Sequence, residues 1–268
     1  MKTIDLIKNY YNQFNKIIIK DVGYTYQAGT LKNCTSSIYE ETNLFLARRA
    51  GVRDKMRMID AGCGSGGPAC TIANFYSEVQ IDAITISEEQ VSTGNKLIKE
   101  KKLEKRINMY VGDYHELPFK KDSYDLIYFF ESVGYSYNLE QLFKEAYRIL
   151  KPRGIIYIKD VFLIEKKITR LEKEALKIFN NIYVQDTKTI EELKREMSKC
   201  GFNKIEYCNL CEYIDTEQVQ STMIMQRNGN YLITKKGDPV LTNFGKRHYD
   251  PIVGHAPVYF GEIKAFKS

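Results

Sequence analysis

The chain has 268 residues, a formal net charge of +6, 43% hydrophobic and 28% charged residues. That length buries a full core in one main domain, and that balance excludes a disordered chain. No apolar run approaches the roughly 20 residues of a membrane span. Met1-Lys2-Thr3-Ile4-Asp5 has no signal-peptide core, so a cytoplasmic location is expected. Six cysteines are scattered, and the Cys208/Cys211 pair has no second pair or histidine cluster beside it, so free thiols and no metal site are expected. Lysines and arginines are spread along predicted helices, with no basic block interleaved with aromatics, so no nucleic-acid partner is expected. A small anionic substrate suits this charge, and a homo-oligomer stays open.

Residues 4–18 space Ile4, Ile7, Tyr11 and Phe14 as an amphipathic helix does. A loop through Gly23 and Gly29 follows, then a helix over 36–50. Strands are predicted at 57–60, 81–86, 107–111, 124–130 and 155–158, alternating with helices at 68–76, 88–101 and 139–150. Lys151-Pro152-Arg153-Gly154 reads as a turn. Helices at 168–179 and 189–200 and strands at 202–208 and 258–266 complete the pattern. Strands alternating with helices imply an α/β fold with a doubly wound, mainly parallel sheet. Residues 1–50 form an N-terminal helical arm or lid, and residues 51–268 the main domain.

Met58-Ile59-Asp60-Ala61-Gly62-Cys63-Gly64-Ser65-Gly66-Gly67 is the most informative stretch. A buried strand that breaks into glycines lets the backbone approach a nucleotide-like ligand. Gly62, Gly64 and Gly67 match the dinucleotide spacing, but Asp60 would repel a pyrophosphate. It favours instead a ligand with a cationic amine and no phosphate, namely S-adenosylmethionine. This stretch resembles motif I of the class I methyltransferases.

The second strand ends in Thr85-Ile86-Ser87-Glu88-Glu89-Gln90. A neutral hydroxyl stands where many such sites place an acid for the ribose, so Thr85 and Gln90 would receive the sugar while Ser87 caps the helix. The third strand runs into Gly112-Asp113-Tyr114, which places Asp113 to accept from an adenine amino group.

Phe129-Phe130-Glu131-Ser132-Val133-Gly134-Tyr135 ends the fourth strand, at the edge where an open parallel sheet binds ligands. It carries neither the Asn-Pro-Pro-Tyr of amino-methylating enzymes nor the Pro-Cys of cytosine C5 enzymes. One carboxylate ringed by aromatics suits methyl transfer to an alkene, where rings stabilise a carbocation and a base removes a proton. Glu131 is the candidate base, with Tyr135 and Phe130 as the rings. Glu131 would serve equally to orient the donor.

From Asp60 to about Lys159 the chain resembles geranyl diphosphate C-methyltransferase and the cyclopropane-synthase, tocopherol and sterol C-methyltransferase branch. The matching pieces are Asp60-Ala61-Gly62-Cys63-Gly64, Thr85-Ile86-Ser87 with Gln90, Glu131-Ser132 with Tyr135, and Leu142-Phe143 before the proline–glycine turn. The resemblance implies a seven-stranded Rossmann-like methyltransferase fold and S-adenosylmethionine-dependent C-methylation of a small isoprenoid, with Mg2+ only if the substrate is a diphosphate. Tyr24-Thr25-Tyr26 resembles the segment that closes over the donor in that branch, so Tyr26 would bond the methionine carboxylate; a plain surface loop is the other reading. The expected cofactor set is thus Tyr26, Asp60, Gly62, Gly64, Thr85, Ile86, Gln90, Gly112, Asp113, Tyr114 and Phe129. Lys235-Lys236 and Arg247-His248-Tyr249 could receive an anionic head. Methylation at oxygen or nitrogen is the alternative, and a histidine or lysine base approaching the methyl group in place of Glu131 would mark it; His115, His248 and His255 are the only histidines. A non-catalytic binding module is a further alternative, against which the intact glycine turn argues.

Overall fold

The computed structural model describes residues 4–21, 23–27, 29–34, 37–215 and 255–268. In chain order these form α1 (Ile4–Asp21), β1 (Thr30–Leu31), α2 (Ile38–Ala50), β2 (Arg57–Ala61), α3 (Gly67–Phe75), β3 (Gln80–Thr85), α4 (Glu88–Glu100), β4 (Ile107–Val111) and β5 (Tyr124–Phe130). A 3-10 turn (Val133–Tyr135) follows, then α5 (Leu139–Ile149), β6 (Leu150–Leu163), α6 (Arg170–Ile182), α7 (Ile190–Lys199), β7 (Phe202–Asn209), β8 (Ile214–Asp215) and β9 (Val258–Lys267). Lys235-Lys236 and Arg247-His248-Tyr249 lie outside the described residues.

Seven strands pair in the order β4-β3-β2-β5-β6-β9-β7. All neighbours are parallel except β9, which runs antiparallel to both β6 and β7. Short βα connections feeding parallel strands put helices on both faces, so the central strands read as continuous apolar runs. One face packs Met58, Ile81, Leu126 and Tyr128 against α2, α3 and α4. The other packs Ile59, Ile127, Phe129 and Ile156 against α5 and α7. A third cluster lies above the carboxyl ends of the strands, where Ile7, Tyr10 and Phe14 of α1 meet Ile178 and Phe179 of α6.

Two expectations change. Lys151–Gly154 is no isolated turn: Leu150 pairs with Tyr124, the register then slips, and Ile155 pairs with Leu126. The extra residues stand out as a bulge within one 14-residue strand, with Arg153 at a φ of 65°. That strand also runs five residues past Ile158, because β9 supplies partners as far as Leu163. The two-residue ladder of β1 with β8 was not expected at all.

Gly67 opens α3 with an ordinary negative φ, so its value is space. A Cβ there would lie 2.5 Å from both the Tyr24 carbonyl oxygen and the Thr25 Oγ1. The Gly67 N–H donates to that same carbonyl at 3.2 Å. Thus the segment 24–27 is seated directly on the glycine turn. Gly67→Ala should lower stability by about 1–3 kcal/mol as an overpacking change. Gly112→Ala, whose Cβ would sit 3.4 Å from Ile84 Cγ2, should melt within error of the parent. Thermal denaturation of both variants checks this.

Candidate active site

β2 delivers Asp60 as its fourth residue and then breaks at Gly62, Gly64 and Gly66, whose φ values of 79°, 54° and 80° are those glycine adopts without strain. Gly62 is further constrained, because a Cβ would lie 2.4 Å from Ser132 Cβ. The N–H groups of Gly62 and Cys63 both donate to the Ile84 carbonyl at 2.9 Å, which fixes the turn to the end of β3.

Asp60 is only 1% exposed. Its register partner on β5 is Tyr128, whose nearby hydroxyl pulls the carboxyl down, while Asp60 Oδ2 and Tyr128 Oη lack a partner of full hydrogen-bonding geometry. Burial pushes the Asp60 carboxyl up to about 7, outweighing the opposing pull of Tyr128. A buried carboxylate oxygen and a buried hydroxyl left without partners are costly until a donor arrives. A cationic amine is the donor that suits them, and the chain therefore fits the amino-acid end of S-adenosylmethionine.

On the ribose side, Thr85 donates its hydroxyl to Gln90 Oε1 at 2.6 Å, and both residues are buried. That bond leaves the Gln90 amide nitrogen on the side of Gly64, 3.9 Å from where a Cβ would stand. Ser87 caps α4 by accepting from the Gln90 N–H at 3.2 Å. Ile86 packs beneath α1. Gly112 donates to the Thr85 carbonyl at 2.9 Å.

Asp113 is more heavily engaged than the sequence suggests. Its Oδ1 meets His115 N at 2.9 Å and His115 Nδ1 at 2.6 Å, while Oδ2 accepts from Tyr137 Oη at 2.8 Å. Burial works to raise its carboxyl, but the bonds from His115 and Tyr137 outweigh that and hold it below the usual range. His115 Nε2 lies 2.9 Å from Ser136 Oγ, so both ring nitrogens are occupied. Tyr114 bonds the Ser132 carbonyl at 3.0 Å.

The two phenylalanines separate. Phe129 is fully buried against α5, and Phe130 packs on the opposite face between Tyr128 and Tyr157. Successive residues of a strand point to opposite faces, so adjacent aromatics cannot both reach one pocket. The rings around Glu131 come instead from elsewhere. Tyr11 of α1 donates to Tyr135 Oη at 2.5 Å and meets that ring edge-to-face. Tyr26 and Tyr10 exchange a hydroxyl contact, and the charge of Glu131 acts on Tyr11 and Tyr183. Burial first, and neighbouring hydroxyls and carboxylates second, push all of Tyr10, Tyr11 and Tyr135 far up, so these phenols stay neutral.

Glu131 takes a left-handed φ of 58°, rare for a side-chain-bearing residue and costing about 1–3 kcal/mol. Its Oε1 pairs with Lys159 Nζ and accepts from Gly29 N at 3.4 Å. Asp160, next on β6, is 2% exposed; its Oδ2 holds the N–H groups of Val133 and Gly134 at 2.9 and 3.2 Å. Burial and the neighbouring Glu131 push Asp160 up to about 7. Sequence reading passed over Lys159 and Asp160. The signal was two charges inside an otherwise apolar strand.

α1 closes the upper side. Ser65 of the glycine turn donates to Asn15 at 2.8 Å, Asn15 donates to Thr93 at 2.8 Å, and Ser87 donates to Asn12 at 2.5 Å. One helix therefore touches the glycine turn, the ribose-side helix and Tyr135.

A family model for a methyltransferase domain matches residues 52–241. The chain belongs to this family, the class I S-adenosylmethionine-dependent methyltransferases. It is similar to the sterol 24-C-methyltransferase of Pneumocystis carinii, 30% identical over 165 residues, which are 60% of this chain and 43% of that protein. The chain thus spans under half the length of that relative. Among solved structures, the cyclase SpnF superposes with a TM-score of 0.81 at 19% identity, covering 97% of this chain and 95% of that one. Geranyl diphosphate C-methyltransferase from Streptomyces coelicolor A3(2), in complex with Mg2+, geranyl diphosphate and S-adenosyl-L-homocysteine, superposes at 0.71 with 19% identity over 98% of this chain and 97% of that one. These likenesses establish a Rossmann-like methyltransferase fold. Among the described residues, no helix is long and apolar enough to cross a membrane, and no cluster of three metal-ligating side chains occurs.

The raised Asp60 carboxyl sets a pH dependence for donor binding. In the free enzyme Asp60 holds a proton below about 7, and a bound ammonium favours the carboxylate, so binding then expels that proton. The donor dissociation constant should rise by up to about tenfold per pH unit as pH falls below that point. It should rise again above about 8, where an α-amino group loses its charge. In Asp60→Asn the acid-side dependence should vanish and affinity should fall; titration calorimetry from pH 5.5 to 9 checks both.

Proposed function

We propose that the enzyme transfers the donor's methyl group to an alkene carbon of a small isoprenoid, with Glu131 as the base. The observation that carries this is the anchored Glu131 carboxylate just past β5, whose charge acts on the neutral phenols of Tyr11 and Tyr183, with Tyr135 bonded to Tyr11. S-adenosylmethionine supplies, when bound, an electrophilic methyl group on a cationic sulfur. The alkene's π electrons form the new carbon–carbon bond and leave positive charge on the adjacent carbon. Loss of a neighbouring C–H proton to Glu131 returns that electron pair and restores a double bond.

Tyr10, Tyr11, Tyr135 and Tyr183 are suited to this role because burial keeps them un-ionised. Each face turned to the cation stabilises it by about 0.5–2 kcal/mol. Phenolates would instead be methylated on oxygen. The apolar residues of α1 and α6 around them keep water from capturing the cation. Support also comes from the similarity to sterol 24-C-methyltransferases and from the fold shared with geranyl diphosphate C-methyltransferase. Mg2+ would enter only with a diphosphate acceptor, as in that structure. The alternative, methylation at oxygen or nitrogen, would call for a basic nitrogen at the acceptor. His115 does not offer one, because Asp113 and Ser136 already hold both of its ring nitrogens.

Glu131→Gln should keep donor affinity within about twofold and reduce turnover by about 100- to 10,000-fold, the usual range for losing a general base. Product analysis with geranyl diphosphate and Mg2+, and with a side-chain-unsaturated sterol, provides the measurement. Robust methylation of a phenol or amine by the variant, with neither alkene consumed by the parent, would replace this reading with the heteroatom one.

A further inference from the structure

Lys159 is fully buried in the middle of β6, where Phe130 on β5 and Glu262 on β9 are its register neighbours. An ammonium group is tolerated there only if partners replace its water. Its Nζ pairs with Glu131 Oε1, donates to the Gly29 carbonyl at 3.3 Å, and lies 4.7 Å from the centre of the Phe260 ring. Glu262 is already held by Arg49 and Tyr157. Glu131 is therefore the counter-ion of Lys159.

The peptide at Gly29 grips both members, since its N–H donates to Glu131 Oε1 and its carbonyl accepts from Lys159. A Cβ at residue 29 would stand 2.5 Å from Ile214 Cγ2 and 2.8 Å from Phe260 Cζ, so only glycine lets the peptide sit that deep. The Glu131 N–H also donates to the Lys159 carbonyl at 2.7 Å. Main chain and side chain thus tie the same two residues together.

We propose that Lys159 is a positioning residue for methyl transfer, holding the Glu131 carboxylate in place and aimed at the acceptor. This rests on the reading of Glu131 as the base. Among the described residues, the charge of Glu131 acts on Tyr11 from α1, Tyr183 beyond α6 and Asp160 from β6. Two carboxylates, Glu131 and Asp160, repel one another at the buried ends of adjacent strands. Lys159 offsets that repulsion, and it is bonded to the carboxylate that the chemistry needs. A lysine with a purely structural role could be exchanged for an apolar side chain together with its partner at little loss.

The test uses the full chain with Lys159→Met, Lys159→Arg, Glu131→Gln and the double variant Lys159→Met/Glu131→Gln. The carboxyl-carbon resonance of Glu131, assigned by its loss in Glu131→Gln, is recorded at neutral pH in glutamate-labelled protein. Lys159→Met should move it away from the parent position, as the bonded ammonium is lost, and Lys159→Arg should leave it near the parent. With geranyl diphosphate and Mg2+, or with desmosterol, Lys159→Met should lower kcat by about tenfold or more while KM changes little, and Lys159→Arg should recover part of the loss. An unmoved resonance in Lys159→Met overturns the proposal. If Lys159→Met does not fold but the double variant does, the lysine serves only to balance a buried carboxylate and the positioning role falls. If neither folds, Lys159 is a core residue only and the proposal falls. If neither alkene is consumed by the parent, the reading of Glu131 as base fails, whereas the resonance still decides whether Lys159 holds that carboxylate.

Discussion

Buried negative charge at the carboxyl ends of the parallel strands is the constraint around which this molecule is arranged. Asp60 ends β2, Glu131 follows β5, and Asp160 lies in β6, all withdrawn from water. A carboxylate in such surroundings must find a cation, accept several N–H groups, or take up a proton. The three residues divide those solutions. Glu131 has Lys159, Asp160 has three backbone N–H groups, and Asp60 is left for the ligand. The site is incomplete at Asp60, which gives the cationic donor its place.

The N-terminal elements attach to this frame in two different ways. Toward the glycine turn and α4, α1 is held by amide and hydroxyl contacts through Asn12 and Asn15, with an exposed Lys8–Glu88 pair outside them. Exposed pairs of that kind contribute about 0–1 kcal/mol each. Toward α6, the same helix buries Ile7, Tyr10 and Phe14. Polar contacts can exchange with water at small net cost, while apolar ones resist parting. The helix is thus joined to the glycine turn and α4 by polar contacts and to α6 by apolar ones. The segment 24–27 has its own buried polar anchor, in which Gln27 donates to Asn43 and Asn43 donates to Thr25.

Much of the sheet was legible in the sequence, because strands covered on both faces read as unbroken apolar runs bounded by glycine, proline and charge. The same feature hid which side chain faces which layer. Phe129 was read as a donor contact and Phe130 as an acceptor-side ring, and the strand sends the two to opposite faces. Asp60, Gly62, Gly64, Thr85 and Gln90 stood out because polar residues and glycines at strand ends follow local backbone rules. Lys159, Asp160 and the tyrosines of α1 did not, since their meaning comes from partners more than a hundred residues away or on adjacent strands. The Asp113–His115 contact was local in sequence, yet no spacing rule announces a carboxylate turned back on its own loop.

The antiparallel β9 lies between β6 and β7, although β7 precedes it in the chain. No direct ladder joins β7 to the parallel strands; residues 258–267 form the only bridge between them within the described sheet. During synthesis, at about 5–20 residues per second, β7 thus emerges with both edges unpaired and must wait for some 50 further residues. Until then the edge of β6 beside Lys159 and Asp160 is also open, an exposed template for another chain.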